Sequence, residues 1–373
     1  MHAETSGDAF LPTPSLLTPY LLKNYKRMNT FYPLLKAFSR IRSSRVKHLG
    51  VLAFYLAKKR YIGLFLDPTQ ACNLKCRMCY FSGESHKLPD RSQLSLDDYK
   101  AMADAMFHRV LRLQIGCGAE PTLYHHLPEI IRIAKERGVP NISLTTNGNL
   151  LDVGKLDELV DAGLNELILS AHGLTRPTYE YLMQHARFDK FLALLDSLRQ
   201  VKQRHPGFSL RVNYTVNEDN VEELALFPKV FEGLKVDVLQ VRPVQDLGDS
   251  DYKNFSLDKV ERCYDNVFGM LAEYARRQGT LLIVPTKANI YALTAGGEAE
   301  SDIKSNEHIQ DLTHVYGRPG YLWRPDFDFR TDTFEDYCKR NGYLKEIISG
   351  VLPFVKCTPK DNYVTKPLNY TVK

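Results

Sequence analysis

Three cysteines within eight residues, Cys72-Asn-Leu-Lys-Cys76-Arg-Met-Cys79, carry the clearest chemical signal in this sequence. Thiolate sulfur is a soft ligand that suits iron–sulfur clusters or zinc, and this spacing lets one short loop fold around one metal centre. Three ligands leave one position open. A closed zinc site would want a fourth Cys or His nearby, and His86 is the local candidate, seven residues past Cys79. Cys117, Cys263, Cys338 and Cys357 bring the total to seven. An odd number in a long chain, three of them at ligand spacing, argues for a reducing compartment over a disulfide framework.

The elements that must position this loop alternate between strand and helix. Tyr61-Ile-Gly-Leu-Phe-Leu66 reads as a short buried strand stopped by Asp67-Pro68, with the cysteines directly after it. Ser95 is a plausible N-cap for a helix over 96–109, and Leu111–Ile115 reads as a strand ending at Gly116. Helices near 126–138, 154–162, 176–203, 219–233 and 257–277 alternate with strands at 142–146, 166–170, 209–216 and 236–242, with a further strand at 281–284. About six such units predict an α/β fold, a partial (βα)6 TIM-like barrel whose strand ends gather the chemistry on one face. The expected organisation is a basic amphipathic helical extension over 1–60, the barrel over 61–285, and an irregular C-terminal extension over 286–373.

The cysteine motif followed by Tyr80 resembles the signature of the radical S-adenosylmethionine (SAM) family. That resemblance implies a [4Fe-4S] cluster on Cys72, Cys76 and Cys79 whose open iron chelates SAM. It further implies reductive cleavage of SAM to a 5′-deoxyadenosyl radical that abstracts a substrate hydrogen. Tyr80 would lie beside the cofactors. Gly116-Cys-Gly-Ala-Glu120-Pro121 looks like the family's Gly-Gly-Glu-Pro element, which receives the SAM amino group. Either Gly116-Cys117 or Gly118-Ala119 could be the equivalent pair, and Gly118, Ala119 and Glu120 are preferred, glycine permitting close backbone approach. Thr146 and Asn147, in Thr145-Thr-Asn-Gly148, resemble the family's turn lining the SAM site, although Asn-Gly alone is only a turn signal. Ser170 and His172 end the fourth strand, where a helix cap is the rival role for Ser170. Asn213 lies on the fifth strand, facing the same way as Arg211 and Thr215. Arg242 ends the sixth, where a guanidinium would suit a carboxylate or phosphate on the substrate. The resemblance covers roughly residues 62–245. Cys338 and Cys357 are candidate hydrogen-atom donors, with a buried structural thiol as the plainer alternative.

A chain of 373 residues, 44% hydrophobic and 25% charged, can bury a large core, which excludes disorder as the default. The net charge of +5 is uneven: residues 9–66 hold eleven Lys/Arg and no acid, against 38 basic and 44 acidic residues elsewhere. Interleaved with apolar and aromatic residues, that segment could contact an anionic membrane surface, a nucleic acid or an acidic partner, or be a solvated pair of helices. Nucleic acid is not expected, because the remainder is slightly acidic and carries no recognised binding motif. No apolar run approaches the roughly 20 residues of a membrane span, and the first ten residues lack the order of a secretory signal. The expected setting is cytoplasmic, with membrane association as a variant of it. A small-molecule, lipid-linked, sugar or peptide substrate and a reductant such as flavodoxin or ferredoxin complete the expectation. The competing reading is a zinc-binding protein, on Cys72, Cys76, Cys79 and His86, that binds nucleic acid or a partner through the basic N-terminus.

Overall fold

A computed structural model of the chain describes residues 41, 43–82, 92–245, 250, 252–253, 255–294, 302–352 and 371–372. Helix α1 (Ser44–Leu56) opens on the Ser43 cap. It leads to β1 (Ile62–Leu66), then the cysteine loop with the short β2 (Lys75–Cys76). Next come α2 (Leu96–Met106), β3 (Val110–Ile115), α3 (Leu127–Glu136), β4 (Asn141–Thr146), α4 (Val153–Ala162) and β5 (Glu166–Ser170). After α5 (Arg176–Leu182) and β6 (Met183–Gln184), α6 (Phe188–Arg204) leads to β7 (Ser209–Val216), α7 (Phe227–Val230) and β8 (Val238–Pro243). The chain continues through α8 (Asp258–Gln278), β9 (Leu281–Val284), α9 (Lys287–Thr294), α10 (Asp302–Thr313), β10 (His314–Arg318) and β11 (Tyr321–Leu322). It closes with α11 (Phe334–Arg340), α12 (Tyr343–Val351) and β12 (Thr371–Val372).

Local chemistry sets these boundaries. The Ser95 hydroxyl accepts from the Asp98 amide, and Asp97 and Asp98 sit in the first turn of α2, where carboxylates meet the positive end of the helix dipole. Asp152 caps α4 in the same way, and Gly163 ends it in the left-handed conformation. The helix expected over 219–233 is instead a 3-10 turn and the one-turn α7, because Pro228 in that turn brings no amide hydrogen.

Among the described residues ten strands form one sheet in the order β11-β10-β1-β3-β4-β5-β7-β8-β9-β12, and every pairing from β10 through β9 is parallel. The expected six barrel strands are the middle of that run. One face, with Leu113, Leu144, Leu169, Val212 and Val241, joins the helices in a continuous apolar core. The opposite, inner face is polar, and Val238 and Ile283 on it form a separate small cluster.

The C-terminal segment differs from the expected irregular wrap. Residues 314–318 return to the sheet as β10, parallel to β1, with Leu64 opposite Val315 and Leu66 opposite Gly317. Trp323, Phe334, Tyr337 and Tyr343 stack around one another and meet Tyr55 and Tyr61 at the N-terminal end of β1. Arg109, only 2% exposed, ties the same end of β3 to this floor through Glu335 (2.7 Å). Among the described residues no helix is long and apolar enough to cross a membrane. Most of the basic segment, residues 9–40, lies outside the described residues. Its α1 portion buries His48 and Val51 and exposes Val46, Leu49 and Leu56.

Candidate active site

The cysteine loop is held from four directions. Cys79 donates its amide to the Cys76 carbonyl (3.0 Å), closing a turn, and the Leu74 amide points at Cys72 Sγ (3.5 Å). Strand β2 pairs with β6, Cys76 opposite Met183, and the Arg77 amide donates to Leu182 O (2.9 Å). Asn217, after β7, donates from Nδ2 to Met78 Sδ (2.9 Å). Asn147, after β4, donates from Nδ2 to Asn73 Oδ1 (2.9 Å), and the Glu120 amide donates to Ala71 O (2.9 Å). The loop is therefore fastened to the ends of β3, β4 and β7 and to the α5–β6 turn.

The three thiols sense one another. Cys72 keeps contact with solvent, yet desolvation, followed by the charges of Glu120 and Cys79, pushes its thiol up to about 12. Burial, then the charges of Cys79, Cys72 and Glu120, also pushes the Cys76 thiol well above its ordinary value. As bare thiolates they would repel in a partly dry site, and bound iron is the kind of cation that would hold them ionised. Among the described residues no three His, Cys, Asp or Glu side chains are arranged to hold a single metal ion. A cluster needs no such arrangement, since each thiolate binds a different iron, and the donor set fits one. His86, the zinc reading's fourth ligand, and Cys357 lie outside the described residues, as does the side chain of Tyr80.

Glu120 is 2% exposed, and both of its carboxylate oxygens accept hydrogen bonds. Its Oε1 accepts from the Thr122 amide (3.1 Å), Thr122 Oγ1 (2.6 Å) and Thr146 Oγ1 (2.7 Å), and its Oε2 accepts from the Asn147 amide (2.9 Å). Burial raises its carboxyl above the usual range, and these donors oppose the rise. Two motifs far apart in sequence thus meet on one carboxylate. Gly116 needs its glycine: at φ +87° a Cβ would lie 2.4 Å from the Thr145 carbonyl.

Asp67 is the residue sequence reasoning missed. Beyond its strand-stopping role, its buried carboxylate accepts from the amides of Cys117 (2.6 Å) and Gly118 (3.1 Å) and from Tyr316 Oη (2.8 Å). It ties the loop bearing Glu120 to β1 and to β10. The available signal was an acid directly after a strand that leads into the metal motif. Asp67→Asn turns one acceptor into a donor facing these N–H groups, with an expected cost of about 1–3 kcal/mol. Tyr316→Phe removes the hydroxyl bond to Asp67, with an expected cost of about 1 kcal/mol for that bond. Thermal unfolding and SAM titration of both variants check this, and an unchanged Asp67→Asn protein would show that the loop is held by other means.

Ser170 and His172 stand at the end of β5. His172 Nδ1 accepts from the Thr215 amide (3.1 Å), which leaves the proton on Nε2, and burial, then the charge of Arg242, lowers its pKa to about 4. Asn213 accepts from Arg211 Nε (2.9 Å), and Arg211 also donates to Gln240 Oε1. The expected cofactor residues Gly118, Ala119, Glu120, Thr146, Asn147, Ser170, His172, Asn213 and Arg242 all lie at or near the C-terminal ends of their strands.

Cys338 does not join them. It is 1% exposed in α11, beside Glu335, Arg324 and Arg109. Arg109 precedes β3 and Glu120 follows it, so Cys338 belongs to the opposite end of strands about 20 Å long. A thiol there is too far from the cysteine loop to donate a hydrogen atom to chemistry at that loop.

Residues 66–227 match the model of the radical SAM superfamily. The chain resembles the radical SAM superfamily over this segment, which is less than half of its length. It is 29% identical over 203 residues to a probable GTP 3′,8-cyclase of Sulfolobus acidocaldarius, covering 53% of this chain and 62% of that one. It is 27% identical over 169 residues to an Fe-coproporphyrin III synthase of Methanosarcina barkeri, covering 45% and 40%. The chain therefore spans less than two thirds of these curated relatives. Its fold is similar to Streptococcus suis SuiB bound to its precursor peptide SuiA, with TM-score 0.52 and 17% identity over 85% of this chain and 66% of that one. Radical SAM enzymes use a [4Fe-4S] cluster and SAM, the two groups that the cysteine loop and Glu120 fit.

Proposed function

We propose that this chain is a radical SAM enzyme whose cluster is held by Cys72, Cys76 and Cys79, with residues 61–285 as its catalytic unit. The observation that carries the reading is the joining of the cysteine loop, Glu120, Thr146 and Asn147 in one hydrogen-bonded unit. When bound, the cluster and SAM supply a carbon radical that removes a hydrogen atom from a substrate. The chain's own share is binding, orientation and exclusion of water. Glu120, already fixed by Thr122, Thr146 and Asn147, is positioned to accept an ammonium group with little reordering. Neutral His172 and Ser170 offer N–H and O–H donors from the next strand. Strands β10 and β11 extend the sheet, and the ring residues of α11 and α12 complete its floor. The electron would come from a small carrier such as flavodoxin or ferredoxin in a cytoplasmic setting.

Anaerobic reconstitution with iron and sulfide, followed by dithionite and SAM, is the test. About four irons per chain and release of 5′-deoxyadenosine are expected. Zinc without sulfide, or a filled cluster with no SAM cleavage, would overturn the reading.

A further inference from the structure

Eleven large apolar side chains are exposed among the described residues, and five of them lie on two neighbouring helices. Val46, Leu49 and Leu56 are on α1, and Leu344 and Leu352 are at the two ends of α12. These helices run antiparallel in close contact. His48 packs on Gly350, where a Cβ would come within 2.0 Å of its ring, and Tyr55 meets Tyr343. Single exposed apolar residues are ordinary on a protein surface, whereas a group of them marks a contact site.

Helical spacing sorts α1 into two apolar sides. His48 and Val51, with the partly buried Leu52 and Tyr55, face the protein. Val46, Leu49, Ala53 and Leu56, three or four residues apart, form the opposite side, and all four are exposed. Cations frame this outer stripe. Arg45 stands at its start and Lys58 and Lys59 at its end, each exposed and none in an ion pair. On α12 the exposed Lys345 adds another cation, while the acid beside it, Glu346, is taken up by Arg324 (2.8 Å). The sequence holds no acid from residue 9 to residue 66.

We propose that this outer side of α1, with its framing cations, rests on an anionic lipid surface. The stripe would enter the boundary between headgroups and acyl chains, and Arg45, Lys58 and Lys59 would meet the lipid phosphates with their alkyl stems lying along the apolar surface. Charge decides between the possible occupants. A second copy of the chain would bring the same cations face to face, with no acid in the segment to meet them. A nucleic acid would meet the cations and leave the stripe in water. The inference stands apart from the radical SAM reading, because the Tyr55 and Tyr61 contacts place the end of α1 at the floor, across the sheet from the cysteine loop.

The test is flotation of the full chain with vesicles of phosphatidylcholine alone and of phosphatidylcholine with about 30% phosphatidylglycerol. The double variants Leu49→Ser/Leu56→Ser and Lys58→Gln/Lys59→Gln are compared with Leu192→Ser and Arg276→Gln, exposed changes on α6 and α8. Circular dichroism and light scattering report the fold and the oligomeric state of each protein. Wild type and both controls are expected to bind the anionic vesicles about tenfold or more tightly than the neutral ones, less so in high salt, and each double variant to bind them about tenfold or more weakly than wild type. Equal binding of wild type to the two kinds of vesicle, or none to either, overturns the proposal. So does either double variant that stays within about twofold of wild type, or controls that weaken as much as the double variants. A dimer that Leu49→Ser/Leu56→Ser dissociates, with no vesicle binding by wild type, overturns it in favour of a second copy. Release of 5′-deoxyadenosine from SAM is expected to be the same in all five proteins, so loss of that activity in wild type counts against the radical SAM reading alone.

Discussion

Cys76→Ala is expected to yield a folded protein that takes up little iron and sulfide and releases no 5′-deoxyadenosine from SAM. The loop supplies three thiols, and two cannot hold a four-iron cluster with one iron already open. The fold should survive, because the backbone of Cys76 pairs with Met183 whatever its side chain. Cys117→Ala is the informative contrast. Cys117 is exposed at the same end of the sheet, on the Glu120 loop, and its amide, which the substitution keeps, is what Asp67 holds. Full iron uptake in Cys117→Ala with loss in Cys76→Ala separates ligand from neighbour, and circular dichroism excludes unfolding as the cause. A Cys76→Ala protein with normal iron and normal cleavage would remove that thiol from the ligand set.

The second large effect is expected from Glu120→Gln. The substitution keeps size and shape but removes the charge that an ammonium group would meet. A hydrogen bond to a charged partner contributes about 1.5–3 kcal/mol, so SAM affinity should fall about ten- to a hundredfold. The new amide N–H₂ would also face the donors on Thr122, Thr146 and Asn147, so some stability loss should accompany it. Thr146→Val separates the two effects. It removes one holder of Glu120 and keeps the carboxylate, so it should weaken SAM less while costing similar stability. Calorimetric titration and thermal unfolding of the three proteins check this. Equal SAM affinity in wild type and Glu120→Gln would exclude an ammonium contact at this carboxylate.

Much of the architecture was legible because its signals are local. The motifs lie on or directly after strands only five to eight residues long, such as Asn147 after Asn141–Thr146 or Asn213 within Ser209–Val216. What stayed hidden depends on contacts distant in sequence. His314-Val-Tyr-Gly-Arg318 contains a glycine and two basic residues, so nothing within it announces a strand, and β1 beside it makes it one. Asp67 gained its role the same way, through Tyr316 and the amides of Cys117 and Gly118. Cys338 was read from its residue type alone, while its place is fixed by the apolar ring residues Phe334 and Tyr337 on the same short helix.

The placement of β10 also bears on the order of events during synthesis. Strand β1, which leads into the cysteine loop, has β3 on one side and β10 on the other, so one of its edges stays open until residues 314–318 have emerged from the ribosome. Asp67 receives its Tyr316 bond only at that stage. Contacts of such long sequence separation close late, after loop entropy has been overcome. The nascent chain would thus carry its thiols on a half-finished sheet for most of translation, exposed to oxidation and to stray metals. Loading of iron after release, on a completed scaffold, is the sequence of maturation this topology favours.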